Sequence, residues 1–481
     1  MKPAGTIKIA ILGGGIAGVA AAYELAKMQR AGLPVEATLY EAGPRLGGIV
    51  ETHREAGFVI ECGPDSWVTE KTWARELAVE LGLEDEIIPS NDHWRRTYVL
   101  QGNQLVPMPD GMRMMVPADW AALLNSPLFS TQAKLAYLRE PRRAEELKAA
   151  ALPPDQDESV RDFVQRHFGD EVALKLAAPL LAGVFGGDIA HLSARSVMPA
   201  FLEMERERGC LVQAVQQRAR TAAGRAAVFT SLKSGLGTLI ERMAATLPAD
   251  WVRLQTPVLS MDPVEQATAH TGVRWSVRTQ KHTVTFDAVV VATPAPVACE
   301  LLRPLDARLS ELLQMDASSA IIVAMAFTPQ QAANLRLPRG FGFLVPQQQE
   351  SAPHNALLAA TFVDQKFSHR VPEGGVLLRA FFGGATAPQL LQESDAALIA
   401  LARKELGKVL GKLPEAHITL VRRWPNSLPQ YGVGHLDRIA ELESRAQAFA
   451  GLRLIGNAYH GVGLPDLIRE GRAAARSLAP A

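Results

Sequence analysis

Residues 7–41 read IKIAILGGGIAGVAAAYELAKMQRAGLPVEATLYE, and this stretch decides the fold. Ile7–Leu12 is a short apolar run of β character. Gly13, Gly14 and Gly15 follow it, and Ile16–Gln29 is Ala-rich with Val19, Tyr23 and Ala26 at helical spacing. Val35–Tyr40 is a second strand, ending at Glu41. Strand, turn, helix and strand with tight connections form a β-α-β unit, the opening of a parallel, doubly wound sheet. Gly13-x-Gly15-x-x-Gly18 lies at the strand-to-helix turn. Gly13 allows the turn, Gly15 lets backbone approach a pyrophosphate, and Gly18 permits close helix–sheet packing. Ile16 and Ala17 then begin a helix whose N-terminus faces the phosphates. Glycines alone are a weak signal. Glu41, about 20 residues on, is the discriminating addition, because it can accept hydrogen bonds from ribose hydroxyls. An ordinary glycine turn beside an exposed Glu is the bland alternative; the register of all five features favours a dinucleotide site.

The next residues, Glu41-Ala42-Gly43-Pro44-Arg45-Leu46-Gly47-Gly48, indicate which dinucleotide. A nicotinamide enzyme needs nothing there. A flavin protein must thread a second pass of backbone beside the pyrophosphate, which Gly47 and Gly48 permit, and Arg45 can offset phosphate charge. The pattern resembles the GG-doublet family of FAD enzymes, which includes amine oxidases, phytoene desaturases and protoporphyrinogen oxidases.

Composition agrees with an ordinary globular enzyme. The 481 residues carry 50 Lys+Arg against 50 Asp+Glu, and 48% are hydrophobic. Such a chain is neither disordered nor collagen-like, and zero net charge argues against nucleic acid as a partner. Cys62, Cys210 and Cys299 are scattered, which excludes a disulfide framework or thiolate zinc site and suits a reducing cytoplasm. The apolar start imitates a signal peptide, but Lys8, the glycines and the continuing helix speak against a leader. No segment offers about 18 uncharged apolar residues, so no transmembrane helix is expected. The motifs of zinc proteases, serine hydrolases, P-loops and deaminases are absent, and no metal is expected.

Along the chain, residues 72–225 look helical, with periodic segments such as Trp73–Leu81 and Ser159–Leu181 broken by prolines. Val252–Val258, Val273–Val277 and Val284–Ala292 read as strands, the last a buried run. Ala320–Phe327, Ala356–Phe362 and Val376–Phe382 are further strands. A helix at Ala396–Leu410 and a final helix at Pro465–Leu478 follow, the latter entered through Arg453–Gly456 and a glycine-rich loop. The dinucleotide unit is therefore not completed locally. The expected fold is α/β: a discontinuous Rossmann-like FAD-binding domain (1–72, 226–297 and 425–481), an inserted helical domain (88–180), and a mixed-sheet α+β substrate domain (73–87, 181–225 and 298–424).

Several motifs narrow the resemblance: Glu61-Cys62-Gly63-Pro64-Asp65-Ser66 with Lys71, Pro107-Met-Pro109, Leu181-Ala-Gly183-Val-Phe-Gly186-Gly-Asp188, Ser234-Gly-Leu-Gly237, Arg423-Trp424, Leu428-Pro-Gln430-Tyr431-Gly-Val-Gly434-His435, and Gly456-Asn457-Ala-Tyr-His-Gly461-Val462-Gly463-Leu464-Pro465-Asp466. In this order, over nearly the full length, they resemble bacterial oxygen-dependent porphyrinogen oxidases. Phe185-Gly186 stands where a Tyr-Ala pair is common, and Trp67 where a Phe is common. The resemblance implies non-covalent FAD, a porphyrinogen substrate (coproporphyrinogen III or protoporphyrinogen IX), dioxygen as acceptor and hydrogen peroxide as by-product, in haem biosynthesis. A porphyrin lies six electrons above its porphyrinogen, so a two-electron flavin acts three times. The alternatives are an amine oxidase or carotenoid desaturase of the same superfamily, or a non-catalytic flavin or porphyrin carrier.

By the same resemblance, the Gly63–Ser66 segment, Gly456, Asn457, Val462, Gly463 and Leu464 line the flavin, and Trp424 packs beside it. The start of the final helix faces the flavin's pyrimidine edge. Val258 meets the adenine through its backbone and Ala292 passes nearby; sheet core is the alternative for both. For substrate, Lys71 is the first candidate by position, with a solvated lysine as its alternative. Arg95 and Arg96 are further candidates for a propionate. Asp65 either orients a pyrrole N–H or caps a helix beginning near Thr69. His435 and His460 read as structural. Residues 93–148 hold eight bases to five acids, with Met108, Met112, Met114, Met115 and Trp120 among them. Transient contact of this insert with the inner face of a membrane stays open, as does monomer against homodimer.

Overall fold

Ile7–Leu12 is the central strand of a five-stranded sheet with the order 252–253, 35–40, 7–12, 288–291, 452–454, and every pairing in it is parallel. The computed structural model describes residues 5–221, 227–264, 274–346 and 356–479. The chain leaves this sheet after Tyr40 and supplies its remaining strands from segments hundreds of residues away. Ala288–Val291 is buried at every position, as a strand covered on both faces must be. The expected α/β class with an interrupted dinucleotide-type unit is borne out.

Two helices fix that unit. Ile16–Arg30 is buried along Ile16–Ala26 and ends in Lys27 and Arg30, which complement the negative end of its dipole. Leu464–Leu478 packs along it so closely that a Cβ at Gly471 would overlap the Ala17 carbonyl oxygen. Glu24, buried on the first helix, accepts from Arg472 and Arg476 of the last, both at 2.7 Å. Within the turn, a Cβ at Gly18 would overlap the Gly13 carbonyl oxygen, so the turn closes only on glycine.

A second, seven-stranded sheet has the order 418–429, 317–327, 376–382, 357–362, 342–344, 97–101, 104–107. Gly342–Leu344 pairs with Thr97–Gln101 in parallel and the other neighbours are antiparallel, so the sheet is mixed. Beside it lies a helical layer whose core joins Tyr137, Phe163, Phe168, Leu176, Leu202 and Leu211.

The expected boundaries shift in several places. Residues 97–107, expected in the helical part at 88–180, form a hairpin on the mixed sheet, turned at Gly102 with φ +59°. Residues 199–221, expected with the substrate part, are helices that complete the helical core. Ile418–Pro429 is one strand across the expected boundary at 424/425, so the chain rejoins the parallel sheet only beyond it. Val252–Val258 is not one strand: Gln255 has φ +51°, and the chain passes from the parallel sheet to a separate antiparallel one beginning at Val258. Val284–Ala292 likewise divides at Asp287 between Thr283–Phe286 and Ala288–Val291. Ser159–Leu181 is interrupted at Gly169, φ +85°. The first residue of the expected Val273–Val277 strand, and residues 222–225 of the helical stretch, lie outside the described residues. Among the described residues no helix is long and apolar enough to cross a membrane.

Candidate active site

The glycine turn and the GG doublet meet as two layers of backbone. Gly47 N–H donates to Gly14 O at 2.7 Å, and Gly15 and Gly47 form an isolated parallel bridge. Gly13 has φ +109°, and a Cβ on it would lie 2.6 Å from Ala292 O, which places Ala292 against the turn. Gly15 differs. Its φ is −66°, open to any residue, and a Cβ there would meet nothing within 4 Å. Packing does not call for glycine at this position; it leaves an open cradle at the start of Ile16–Arg30. That helix has neither a side-chain cap nor an acid in its first turn, so its positive end is left for an outside anion.

Glu41 closes the cradle. Its Oε2 accepts from Gly14 N at 2.8 Å and its Oε1 from Gly43 N at 2.6 Å, and each oxygen keeps a further lone pair for another donor. Ala42 lies between these contacts, and Thr256 N–H donates to Glu41 O at 2.8 Å, which brings Val258 to the same end. Arg45 is braced within its own loop rather than free. It donates to Gly48 O (2.7 Å), Leu46 O (3.1 Å) and Val50 O (3.2 Å), and pairs with Glu51 at 2.8 Å. Its part in this structure is to hold the doublet in shape.

The Gly63–Ser66 segment is anchored by two cations that the sequence reading did not single out. Asp65 accepts from Lys366 at 2.9 and 3.0 Å and pairs with Arg379 at 3.2 Å; Ser66 donates to it at 2.7 Å. Burial would raise its pKa, but Lys366 and Arg379 outweigh burial and hold the carboxyl well below the usual range. Arg379 also donates to Gly63 O. Asp65 caps no helix, since the next one begins at Trp73 with Thr72 as N-cap, and its oxygens are engaged by cations rather than turned to a pyrrole. Pro64 stays within this anchored segment. Trp424 Nε1–H donates to Cys62 O at 2.7 Å, which sets the indole beside it.

The 456–464 loop is tied from the Tyr431 side. Tyr431 hydroxyl donates to Asn457 O at 2.7 Å and accepts from Gly461 N at 3.0 Å, and Asn457 Nδ2 donates to Ser427 O at 2.9 Å. His435 stacks on Tyr431 at 4.0 Å and bonds Tyr459 O at 2.9 Å; burial pushes its pKa down to about 4, so it is a neutral donor. His460 faces Glu443 at the surface. Each histidine is thus engaged by a protein partner. Past Val462, Gly463 is the N-cap of the last helix, which begins at Leu464. Lys71 Nζ reaches Asp466 in the first turn of that helix at 2.6 Å. Glu470, further along it, is pushed up by burial to about 7.

A cavity of about 1540 Å³ opens between the helical layer, the helix Ala295–Leu302 and the end of the mixed sheet, lined by Ala182, His191, Pro296, Ser318, Leu358 and Arg438 among others. Lys71, Asp65, Arg95 and Arg96 do not line it. Lys71 is turned to Asp466, while Arg95 and Arg96 lie by Asp92 (3.6 Å) and Asp110 (3.9 Å). The four substrate candidates do not converge. Arg438 lines the cavity, and an arginine on an amphipathic helix gives no local sequence signal of what faces it.

A family profile described as flavin containing amine oxidoreductase matches residues 16–479. The chain is 34% identical to coproporphyrinogen III oxidase of Bacillus subtilis, over 97% of this chain and 96% of that one. It is 30% identical to coproporphyrinogen III oxidase of Staphylococcus aureus, over 98% and 99%. Among solved structures, a protein of Exiguobacterium sp. 255-15, provisionally named a protoporphyrinogen oxidase, aligns with a TM-score of 0.82 at 32% identity, covering 99% of both chains.

Proposed function

Because the chain belongs to the flavin containing amine oxidoreductase family, and is with that a flavin-dependent oxidoreductase, we propose that it oxidises coproporphyrinogen III to coproporphyrin III, with non-covalent FAD as redox group. The observation that carries the reading is full-length likeness to proteins named coproporphyrinogen III oxidase, on a chain whose Gly15 cradle asks for a ligand. Three dioxygen molecules take the six electrons and leave as three molecules of hydrogen peroxide. Protoporphyrinogen IX, with vinyls in place of two propionates, is the second substrate of this reading.

When bound, the flavin supplies the two-electron oxidation, three times per macrocycle. The protein's residues bind and orient. The start of Ile16–Arg30 and the Gly13–Gly15 turn take the pyrophosphate, Gly48 leaves room for it, and Glu41 takes the ribose. The Gly463–Leu464 helix start would lie at the pyrimidine edge, its positive end shared with Asp466 of the same first turn. Trp424, Gly63 and Gly456 bound the ring system, and Val258 and Ala292 flank the adenine end and the turn. No cysteine follows Cys299, and all three are buried, which favours a cofactor that is not tethered. A cytoplasmic setting suits these free thiols. Exposed Leu124, Leu135 and Leu138 on the helical layer support a loose membrane contact, tested by co-sedimentation with anionic liposomes against a soluble control.

The decisive experiment is anaerobic titration of the purified yellow protein. Bleaching by coproporphyrinogen III and recovery in air, with porphyrin fluorescence rising, support the reading. Bleaching by an amine instead, or by neither, overturns it and restores the amine oxidase or carrier.

A further inference from the structure

We propose that Arg438 anchors a propionate of the macrocycle and thereby favours a tetrapropionate porphyrinogen over a dipropionate one. This rests on the porphyrinogen reading above.

The cavity of about 1540 Å³ exceeds the roughly 300–1000 Å³ of pockets for drug-sized ligands, so it suits a larger molecule. Three arginines line it, and two are partnered. Arg303 forks onto Glu300 at 2.8 and 3.1 Å, and Arg161 lies 3.9 Å from Asp170. Arg438 makes no ion pair among the described residues, and its Nε is buried without a hydrogen-bond partner. Among the described residues its fork makes one side-chain hydrogen bond, a long one from Nη2 to His435 Nδ1 at 3.5 Å, and that imidazole is neutral. Asp188, Glu300 and Asp316 also border the cavity, and none is within ion-pair distance of Arg438.

Its position adds to the cost. Arg438 stands in the first turn of His435–Ala446, where the helix dipole is positive and a cation is disfavoured. The neighbouring acid gives no relief, since Asp437 is drawn to Arg195 at 2.8 and 2.9 Å. A guanidinium stays charged in a protein, so a half-buried one with no counter-anion calls for an anion from outside. A carboxylate matches its fork, and carboxylates are the charged groups of a porphyrinogen. Protoporphyrinogen IX keeps two propionates and has vinyls in place of the other two, so the discrimination requires that Arg438 meet one of the two propionates that only coproporphyrinogen III carries.

The test uses the flavin-loaded full chain as wild type, Arg438→Gln and Arg438→Lys, with flavin content and Tm as folding controls. KM and kcat are measured for both porphyrinogens, and Kd for coproporphyrin III by fluorescence. A charge-assisted hydrogen bond is worth about 1.5–3 kcal/mol, so Arg438→Gln should raise KM for coproporphyrinogen III and Kd for coproporphyrin III by roughly 10–150-fold. It should leave kcat within about twofold, move the protoporphyrinogen KM much less, and be partly rescued in Arg438→Lys. Coproporphyrin tetramethyl ester has no carboxylates: wild type should bind it more weakly than the acid, and Arg438→Gln should narrow that difference. Equal effects on both substrates, or an unchanged Kd, overturn the assignment. Wild-type protein that oxidises neither porphyrinogen overturns the functional reading itself, a distinct outcome.

Discussion

Lys71 and Asp466, 395 positions apart, meet at 2.6 Å, with the carboxylate buried in the first turn of the last helix and the lysine about half exposed. The pair ties the segment after Gly63-Pro64-Asp65-Ser66 to the helix start proposed to face the flavin. It also takes up the charge that sequence position alone would offer to a propionate. Removing either partner leaves the other at a site shaped for two. With the lysine half in solvent, coupling on the order of 1 kcal/mol is expected from a double-mutant cycle of Lys71→Met and Asp466→Asn in urea unfolding. Zero coupling, together with a raised KM for the porphyrinogen in Lys71→Met alone, would return Lys71 to the substrate.

Gly15 and Gly18 should fail in different ways. Gly15 has ordinary φ and open space where a side chain would go, so Gly15→Val should keep the fold and Tm close to those of the flavin-free wild type while losing bound flavin. At Gly18 a Cβ collides with the Gly13 carbonyl inside the protein itself. Gly18→Ala should therefore lose stability by about 1–3 kcal/mol as well as flavin. Visible flavin absorption and thermal unfolding separate the two, and a flavin-replete Gly15→Val protein would refute the cradle.

The contrast shows what a sequence exposes. The β-α-β opening, the glycine turn and the buried run at 288–291 are short-range patterns whose period and composition survive without a partner in view. The hairpin at 97–107 had a local signal too, Gly102-Asn103 between Thr97–Gln101 and Gln104–Pro107, but it is set among prolines and helical segments that drew the expectation the other way. Charges are another matter. Whether Asp65, Lys71, Arg45 or Arg438 is free or engaged depends on Lys366, Asp466, Glu51 and, for Arg438, on there being no acid within ion-pair distance among the described residues, and none of these is fixed by spacing. Hence the glycine turn is legible and the partners of these charges are not.

His167 links stability to pH. Both ring nitrogens are engaged, by Glu140 at 2.9 Å and Glu205 at 3.0 Å, and all three side chains are buried. Burial would lower the histidine's pKa, but the hydrogen bonds and charges of the two glutamates outweigh it, so the folded value lies above the ordinary 6.5. The stabilisation is full below that ordinary value and is lost as pH rises through the folded one. Wild type should thus lose stability on the alkaline side. His167→Gln should be less stable by about 3 kcal/mol near pH 6, as for a broken buried pair, and should show a flatter profile above it. Urea unfolding across pH 6–9 checks both, and parallel profiles would show that His167 does not titrate there.

Glu470 should act in the same pH range through a different balance. Its carboxyl is buried in the last helix, and burial raises it from an ordinary 4.5 to about 7, with Asp466 adding to the rise and His460 and Arg469 opposing it. Its Oε1 is buried without a hydrogen-bond partner and lies 3.5 Å from Arg469 Nη2, a contact too long to offset the cost of burying an anion. The folded protein thus binds a proton that the unfolded chain releases above 4.5, so stability falls as pH rises from 4.5 towards 7 and then levels off. Glu470→Gln keeps the shape and removes the proton. The variant should match wild type near pH 4.5 and be more stable by about 2–3 kcal/mol at pH 8, with the difference growing between those limits. The wild-type and variant curves, each measured by urea unfolding of the flavin-loaded protein, should therefore diverge upward in pH. A constant offset across the range would mean that Glu470 is ionised throughout, with a partner for its charge.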